Sequence, residues 1–553
     1  MVAKIEIINN LPTIVVDGIP LSEMAYITYR PQFNCYSDFA QAGVKLFSVN
    51  LNFSEQPINE EAPVLVFQKG IFEQEEPDFG IIDRNFDQIL AQCPDAYIFP
   101  RINLNLPRKW EEEHPEEVCE KGFGDRPARF SYSSDLWVEA VKDRLAAVVN
   151  YIEQSKYKDR VIGYQLGGGN TEEWLPVDPQ SGFGIRAKEK FDRFCQERSL
   201  EKNAENYYLF NSVTVASRIV ELSDFVKELT GQNKLVGSFY GYTLGVDRTK
   251  GHNALEMLLN CNAIDFICSP LTYADVRQPG FDLYPMIPIA SLREHKKVYF
   301  SENDIRTHLT RCISDHPNYT HALWFGPEPS VTAEQLKLAF VRAMLYGYGL
   351  WWFDMWGGWY ADDVYMSLFE DMQRLCRDGM DEPDADIAVF VDEQSVCASP
   401  DGLKLIRRTI RALGLCGAPY DAYVMTDFGD VFEKYKVCIL IEPTETVRSN
   451  ECAARATATA MPVLRIQDDL TSAEELQRKL SDFGVDIPVH RAAVVYRSQN
   501  YISLYTPEEG EYDFCDRDTR QFVDLFSGEA ISFPTVLQKG TFFLFKRVQP
   551  VSI

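Results

Sequence analysis

The chain has 553 residues, of which 55 are basic and 82 acidic, giving a formal net charge of -27. Such an acidic balance repels phosphate backbones and anionic membranes, so nucleic acid is not an expected partner unless a local basic patch is hidden in the fold. With 45% hydrophobic and 13% aromatic residues the chain can bury large cores, and its length predicts two or three domains.

The first residues, "MVAKIEIINNLPTIVV", lack a basic segment followed by an apolar core, and nowhere does the sequence reach the roughly 18 apolar residues of a membrane span. We therefore expect a soluble, cytoplasmic protein without a membrane partner. Thirteen cysteines are scattered without a C-x-x-C pair, and the closest two are Cys261 and Cys268. This spacing is typical of reduced, mostly buried thiols and predicts no metal site.

From about residue 10 to 370, short β-branched or aromatic runs alternate with longer amphipathic segments. The alternation predicts repeated βα units around a parallel sheet, with helices over 135–155, 211–230 and 333–347. Eight candidate strands fall at 22–28, 44–51, 95–104, 160–166, 234–242, 263–270, 297–304 and 349–356. Together these elements predict a (β/α)8 TIM barrel over residues 1–380, with a doubly wound open sheet as the alternative topology.

A Pro- and Asp-rich segment, "RDGMDEPDAD" at 377–386, is typical of a domain edge. A smaller αβ alternation follows it and predicts a flavodoxin-like αβ domain over residues 386–487. Beyond that, runs such as "AAVVYRSQNYISLYT" and "GTFFLFKRV" have no helical period. They predict a small C-terminal β-domain over residues 488–553, which makes the whole chain an α/β protein of three parts.

Unusual residues follow the predicted barrel strands, at the end of a TIM barrel where active sites lie. Arg101 and Asn103 end one strand, the stretch "GGGNTEEW" at 167–174 follows the next, and Glu302–Asp304 and Trp352–Trp359 follow later ones. Aromatic side chains around such a mouth would suit the apolar faces of sugar rings: Trp110, Trp174, Tyr240, Tyr242, Trp352, Trp356 and Trp359.

Acidic residues follow two of the predicted strands, and they suggest which reaction the barrel mouth could carry out. Glu172 and Glu173 follow the glycine triplet, and Glu302 ends a later strand. Adjacent side chains of an extended segment point to opposite faces, so we expect at most one of Glu172 and Glu173 to face the barrel mouth. Two carboxylates over one mouth are the minimum equipment for cleaving a glycosidic bond, since one protonates the leaving oxygen and the other attacks the anomeric carbon or activates water.

Three segments carry a family resemblance: "VDGIPLSEMAYITYRP", "FPRINLNLPRKWEEEHPEE" and "RVIGYQL…EEWL". In this order they resemble the entry strand, the R-I-x-L…P-x-W-W…H-P stretch and the G-W-Q-x-x-N-E-Y segment of clan A glycoside hydrolases, and they are most similar to family 42 β-galactosidases. The segment after residue 386 resembles that family's trimerisation domain, and the terminal β-rich segment completes the same order. The resemblance therefore spans almost the whole chain.

The resemblance implies a retaining exo-glycosidase, foremost a β-galactosidase, that hydrolyses terminal β-linked galactose of short oligosaccharides by double displacement. No cofactor is implied, and the assembly would be a homotrimer. Glu302 matches the nucleophile, and Glu173 matches the acid/base because Trp174 stands where the family has an aromatic residue. Glu172 stays open as an alternative acid. Arg101 would hold the region of the nucleophile and a sugar hydroxyl.

One departure concerns the asparagine that the clan places directly before the acid/base. Here Asn170 precedes Glu173 by three residues, so either a glycine-permitted bulge returns Asn170 to the sugar or another group makes that contact. On the last strand we expect the face that carries Asp354 to point inward. The full set of candidate substrate contacts is Arg101, Asn103, Asn170, Glu172, Tyr240, Tyr273, Asp304, Trp352, Asp354 and Trp356.

Two other functions stay open at this point. The same barrel would also serve another glycoside, such as a β-glucoside, an α-L-arabinoside or a uronide. A uronide needs an additional cation in the sugar pocket, for which Arg277 and Arg306 are the candidates. The second alternative is of a different class, a catalytically silent sugar-binding protein that retains the barrel.

Overall fold

The computed structural model describes most of the chain, namely residues 1–22, 24–57, 68–122, 124–176, 184–273, 277–310, 324, 326–377, 380–467 and 472–548. It begins with an antiparallel sheet of three strands, β1 Ala3–Ile8, β2 Leu11–Val16 and β3 Ile19–Pro20. The backbone N–H of Ala3 donates to the carbonyl of Asn233 at 3.0 Å. This sheet therefore lies against the N-terminal ends of the barrel strands.

Eight parallel strands close into a barrel through pairing of the last strand with the first. The closed barrel confirms the predicted TIM fold and excludes the open-sheet alternative. The strands are β4 Met24–Thr28, β5 Leu46–Asn52, β6 Tyr97–Asn103, β7 Gly163–Gly167, β8 Leu235–Phe239, β9 Phe266–Pro270, β10 Val298–Asn303 and β11 Gly349–Phe353.

Ten α-helices lie in the described part of the chain between these strands and after the last of them. In α4 the apolar side chains recur every three or four residues, and the hydroxyl of Ser134 accepts the N–H of Trp137 at 2.9 Å, which caps the helix start. The helices are α1 Tyr36–Gln41, α2 Gly80–Gln92, α3 Arg108–Glu113, α4 Asp135–Gln154, α5 Ile185–Arg198, α6 Ala204–Leu229, α7 Leu255–Leu259, α8 Ile289–Glu294, α9 Pro329–Tyr346 and α10 Asp363–Arg377.

The interior of the barrel is filled by an aromatic layer, here called the aromatic floor. Phe300 stacks on Trp351 with ring centroids 5.4 Å apart, and Phe99 lies 5.8 Å from Phe300 and 5.7 Å from Trp351. Phe266 contacts Phe99 and Phe300, and Phe239 meets Trp351 edge to face. All five side chains are buried. The floor closes the barrel below the C-terminal ends of the strands.

The barrel is followed by an αβ domain built on a parallel sheet of order β13-β12-β14-β15. Its first strand pairs with the second on one side and the third on the other, which confirms the predicted flavodoxin-like arrangement. The strands are β12 Ile387–Val391, β13 Tyr420–Val424, β14 Val437–Ile441 and β15 Val463–Ile466, and the helices are α11 Glu393–Ala398, α12 Gly402–Leu415, α13 Phe428–Val431, α14 Val447–Ala458 and α15 Ala473–Asp482.

The C-terminal part is a β-domain of antiparallel strand pairs, as predicted from the absence of helical period. Its core contains the rings of Phe514, Phe522, Phe533 and Phe545. The strands are β16 Tyr501–Tyr505, β17 Gly510–Tyr512, β18 Gln521–Val523, β19 Ala530–Ser532, β20 Thr535–Leu537 and β21 Phe542–Lys546.

The three parts are packed together through polar and apolar contacts. Asp282 of the barrel is paired with Arg342 of α9, and it accepts the hydroxyl of Tyr496 from the C-terminal part at 2.5 Å. Leu244, which lies between β8 and α7, packs into the core of the αβ domain. Residues 378 and 379 of the expected domain edge lie outside the described residues, so the domain limits remain predictions. Within the described chain, no helix has the length and apolarity to cross a membrane.

Candidate active site

Glu302 lies within β10, near the C-terminal end of the strand. In the register of the barrel it stands opposite Pro270 of β9 and Trp351 of β11. The residue is 4% exposed, and its Oε2 accepts a 2.8 Å hydrogen bond from the Nη2 of Arg101 and a 3.3 Å bond from the indole Nε1 of Trp351. The strand itself therefore holds this carboxylate above the aromatic floor.

Arg101, on β6, is a buried cation shared by two carboxylates. Its Nη2 reaches Glu302, and its Nη1 lies 3.7 Å from the Oε2 of Glu172. The guanidinium also lies over the rings of Phe239 and Trp351, 4.7 and 5.2 Å from their centroids. Because aromatic faces and two carboxylates surround it, Arg101 is held in one position and gives the site a fixed positive charge.

The segment after β7 has an unusual backbone. Gly169, Thr171, Glu172 and Trp174 all have positive φ, at 70°, 56°, 66° and 59°. Three of these are not glycine, and each left-handed non-glycine residue costs about 1–2 kcal/mol. The segment is therefore neither extended nor relaxed, and it needs contacts from other elements to keep its shape.

These dihedrals overturn the expectation that at most one of the two adjacent glutamates faces the mouth. The carboxylate of Glu172 meets residues from β5 and β6, whereas that of Glu173 meets Tyr242 beyond β8. The alternation rule assumed an extended chain, and a left-handed turn at Glu172 removes that assumption.

Glu172 is fully buried, and hydrogen bonds occupy both of its oxygens. The Nδ2 of Asn50 donates to Oε1 at 2.6 Å, the hydroxyl of Tyr29 donates to Oε2 at 3.1 Å, and Asn103 adds a further bond. Burial raises the pKa of Glu172, while the charge of Arg101 acts in the opposite direction. This carboxylate is enclosed by donors and has no free face for a leaving group.

Glu173 is half-buried and meets fewer donors. The hydroxyl of Tyr242 donates to its Oε1 at 2.8 Å, and the hydroxyl of Thr171 donates to its Oε2. Burial raises the pKa of Glu173, which favours a protonated acid. Burial likewise raises the pKa of Glu302 to about 7; Arg101 opposes this shift, and the negative charge of Glu173 adds to it. The two carboxyl groups thus lie close enough to interact electrostatically.

Asp304 and Tyr273 lie near these acids, as predicted, and Arg277 joins them. Arg277 pairs with Asp304, and its guanidinium lies 4.1 Å from the centroid of the Tyr273 ring. The Oδ2 of Asp304 is buried and accepts no hydrogen bond from the described residues. A buried acceptor without a donor is suited to a hydroxyl of a bound sugar.

Two predicted substrate contacts, Tyr240 and Trp352, point away from the mouth. Tyr240 donates its hydroxyl to the carbonyl of Ser212 in α6 at 2.9 Å. Trp352 packs on Phe369 of α10 with ring centroids 4.8 Å apart. Its neighbour Trp351 faces inward instead, so the expectation that the Asp354 face is the inner one is wrong.

Asp354 accepts hydrogen bonds from other residues of the protein. Its Oδ2 accepts the hydroxyl of Tyr26 at 2.7 Å and the N–H of Gly358 at 2.8 Å, and its Oδ1 accepts the N–H of Trp359 at 2.9 Å. Burial raises the pKa of Asp354 to about 6. The residue is fully buried and holds the turn after β11.

The remaining candidate residues lie in different surroundings. Asn103 contacts Glu172, as described above, and Asn170 is buried with its backbone paired to Leu175. Trp356 lines a cavity of about 430 Å³ beyond β11, together with Phe33 and Asp38. This cavity holds polar and aromatic groups at the C-terminal face of the barrel. Trp174 is fully buried and donates its Nε1 to the carbonyl of Leu166 at 3.1 Å.

Sequence reasoning missed three residues of the site. Tyr29 and Asn50 lie at the ends of β4 and β5 and bond Glu172. Their position after apolar runs was a usable signal, of the same kind that singled out Arg101. His252, whose Nε2 lies 2.9 Å from the backbone carbonyl of Glu173, follows no strand directly. We find no sequence signal that would have identified it.

No protein-family model and no curated protein matches the chain by sequence. Solved structures do share its fold. A β-galactosidase from Bacillus circulans sp. alkalophilus superposes with a TM-score of 0.64 at 11% identity, over 95% of this chain and 99% of that one. The exo-carrageenase GH42 from Bacteroides ovatus gives 0.63 at 12% identity, over 98% and 84%.

A GH42 β-galactosidase from G. stearothermophilus, solved as a catalytic mutant, gives a TM-score of 0.59 at 9% identity, over 95% of this chain and 98% of that one. All three alignments extend through the barrel, the αβ domain and the C-terminal β-rich part. The chain therefore has the three-part fold that its resemblance to family 42 predicts.

Proposed function

We propose that the chain is a retaining exo-acting glycoside hydrolase that removes terminal β-linked galactose from short oligosaccharides. The observation that carries the proposal is the pair of interacting carboxyl groups, Glu302 and Glu173, above a closed barrel floor, with Arg101 bonded to Glu302. Two such acids, one on a buried cation and one away from it, are suited to a nucleophile and an acid/base.

In the proposed first step, the carboxylate of Glu302 attacks the anomeric carbon while the carboxyl proton of Glu173 moves to the departing oxygen. This step forms a covalent glycosyl-enzyme and releases the aglycone. In the second step Glu173 takes a proton from water, which attacks the anomeric carbon and frees Glu302. Such a mechanism requires the two carboxyl groups to lie about 5–5.5 Å apart.

The surroundings of the two acids favour these roles. Arg101 donates to Glu302 and stabilises its ionised form, whereas Glu173 is bonded by the neutral hydroxyls of Tyr242 and Thr171. While Glu302 is charged, repulsion favours a protonated Glu173. Once Glu302 carries a sugar, that repulsion ends and Glu173 becomes a base.

Glu172 is the weaker choice for the acid. It is fully buried and accepts bonds from Asn50 and Tyr29, so it has no direction free toward a glycosidic oxygen. Its role in the proposal is to balance the charge of Arg101 and fix the orientation of that side chain, which it approaches to 3.7 Å.

Galactose is proposed because two of the three structural neighbours described above are β-galactosidases and the third is an exo-carrageenase. A uronide is disfavoured by one observation on the pocket. Arg277, one of its two candidate cations, is already paired with the buried Asp304. A sugar carboxylate at that position would find the charge of Arg277 already neutralised by Asp304, with the other carboxyl groups of the site nearby.

The test is hydrolysis of nitrophenyl β-galactoside, β-glucoside, α-L-arabinoside and β-glucuronide by the wild type and three variants. Glu302→Gln is expected to abolish turnover of the preferred substrate. Glu173→Ala is expected to lose about 10²–10⁴-fold, with azide restoring turnover and giving a β-glycosyl azide. Glu205→Gln, an exposed change on α6, is the control and should behave as the wild type.

Each element of the proposal has its own contradicting result. Full activity of Glu302→Gln would remove the nucleophile assignment, and an α-azide product from Glu173→Ala would exclude azide attack on a glycosyl-enzyme at Glu302 and so remove the roles assigned to the two acids. If the wild type hydrolyses no glycoside while calorimetry still detects galactose binding, the chain is a sugar-binding protein. Faster turnover of another glycoside would keep the mechanism and replace the sugar.

The homotrimer implied by the family resemblance is part of this proposal and has a separate test. Sedimentation equilibrium of the full chain should give three times the 63.3 kDa chain mass. A monomer mass would remove the trimer and leave the glycosidase proposal untouched.

A further inference from the structure

The segment from Tyr240 to Ala254, between β8 and α7, contacts the acid Glu173 on one side; we call it the acid-supporting loop. The hydroxyl of Tyr242 donates to the Oε1 of Glu173 at 2.8 Å. The ring of His252 lies against the backbone of the same residue, with Nε2 2.9 Å from its carbonyl oxygen. One loop thus holds both the side chain and the main chain of Glu173.

The hydrogen bonds of His252 define its state. A carbonyl oxygen only accepts, so Nε2 carries the proton and donates to Glu173, which leaves Nδ1 to accept the N–H of Tyr242 at 3.4 Å. The ring lies between Tyr240 and Tyr242, with centroids 4.9 and 4.3 Å away. Burial lowers the pKa of His252 to about 3, so the ring stays neutral and this arrangement does not change near neutral pH.

The opposite side of the acid-supporting loop is bound by the αβ domain. Glu393, the first residue of α11, accepts the N–H of Leu255 at 2.9 Å and the hydroxyl of Thr243 at 3.3 Å. Arg407 of α12 donates to the carbonyl of Gly245 at 2.6 Å. Leu244, between these anchors, is 2% exposed and belongs to the apolar core of the αβ domain.

A further bond runs in the opposite direction. Arg248 of the acid-supporting loop donates from Nη1 to the carbonyls of Cys397 and Ala398 at 3.1 and 3.2 Å. These carbonyls belong to the last turn of α11, where a cation is favoured. Both ends of α11 are therefore bonded to the loop, and Glu393 makes its bonds from a site that is only 8% exposed.

On the basis of the proposed function, we propose that the αβ domain is a positioning element for the acid/base Glu173, and that Glu393 is its main positioning residue. The chain of contacts runs from Glu393 to Thr243 and Leu255, and along the loop to Tyr242 and His252. The segment that carries Glu173 is left-handed at Thr171 and Glu172, a strained conformation that contacts from other elements have to maintain. Small displacements of an acid from the leaving oxygen cost large factors in rate.

The experiment compares two leaving groups, since general acid catalysis matters only for the poor one. Phenyl and 2,4-dinitrophenyl β-glycosides of the sugar that the wild type prefers are assayed with the full chain. Because kcat/KM reports only the first step, Glu393→Ala is expected to lower kcat/KM by about 10–100-fold for the phenyl glycoside and by less than about 3-fold for the dinitrophenyl glycoside. Glu393→Gln retains an acceptor for the N–H of Leu255 and is expected to restore most of the rate.

The control is Glu442→Ala in the same domain, which removes the partner of Arg465 and contacts no residue of the acid-supporting loop in the described structure. It should leave the ratio of the two rates as in the wild type. Arg407→Met, which removes the bond to Gly245, serves as a second variant if Glu393→Ala does not fold, and a smaller change in the same ratio is expected.

An equal fall for both leaving groups, or no fall, in the variants that fold would overturn the positioning role while the glycosidase proposal stands. A wild type that hydrolyses neither substrate would instead remove the proposed function itself. A normal alkaline limit of kcat/KM in Glu393→Ala would also count against the inference, because a displaced Glu173 must titrate differently.

Discussion

Glu302 and Glu173 reach the same site from two very different backbones. Glu302 is part of β10, whose pairing with β9 and β11 sets its height and direction. Glu173 lies in a segment where Thr171, Glu172 and Trp174 are left-handed, and its position depends on Tyr242 and His252 from another loop. The comparison teaches that the barrel alone places one carboxylate, whereas the other requires support from beyond the barrel.

Arg101 joins the two regions, and its removal should have the largest effect. In Arg101→Met the carboxylates of Glu302 and Glu172 stay buried without their cation, which should lower the free energy of unfolding by about 3–5 kcal/mol. Urea denaturation of the full chain measures this loss. Arg520→Met is the matched control, because its partner Asp513 is exposed, and a much smaller change is expected there. Equal effects of the two substitutions would show that Arg101 is not the shared anchor.

Glu302 should destabilise the protein as pH rises. Burial raises its pKa from 4.5 to about 7, so between these values the folded chain holds a proton that the unfolded chain has lost. The contribution of Glu302 to stability is therefore present below pH 4.5 and falls as pH rises to about 7.

The variant Glu302→Gln cannot titrate at this position and should lack that decline. Relative to the wild type, it should gain about 2–3 kcal/mol of unfolding free energy between pH 5 and pH 8. Urea denaturation at the two pH values measures the gain, with Glu205→Gln as the exposed control. Parallel pH dependence of wild type and Glu302→Gln would contradict the buried, raised carboxyl group.

The smallest effect should come from placing glycine in each region. Thr171 has a φ of 56°, so Thr171→Gly relieves left-handed strain and should stabilise the chain by about 0.5–1 kcal/mol while slowing turnover, since its hydroxyl no longer bonds Glu173. Ser301→Gly, next to Glu302 in β10, should destabilise the chain by a similar amount. Thermal unfolding compares the two signs, and Thr171→Ser should retain activity. If both glycine substitutions changed the stability in the same direction, the distinction between a strained and a relaxed region would be wrong.

The sequence predicted the fold far better than the orientation of side chains. All eight barrel strands were recognisable because each is an apolar run buried on both faces, and Arg101, Glu173 and Glu302 were recognisable as polar residues at the ends of such runs. The side of β11 that faces into the barrel could not be recognised from the sequence. Trp351 and Trp352 are both aromatic and both buried, so hydrophobicity gave no reason to prefer either phase.

The conformation of the segment that carries Glu173 could not be predicted, for a different reason. Positive φ at Thr171 and Glu172 is imposed by surrounding contacts, and neither residue type signals it. His252 is likewise defined by packing between Tyr240 and Tyr242, which depends on tertiary structure alone. Local rules therefore sufficed where the backbone was regular and were insufficient where other elements determined it.

The aromatic floor also determines the order of events in the proposed reaction. The rings of Phe99, Phe300 and Trp351 close the barrel directly below Glu302, so a sugar held on this carboxylate has no passage beneath it. Water for the second step must come through the space that the first product occupied. The departing alcohol therefore has to leave before hydrolysis begins, and an added alcohol that takes its place should be glycosylated in competition with water.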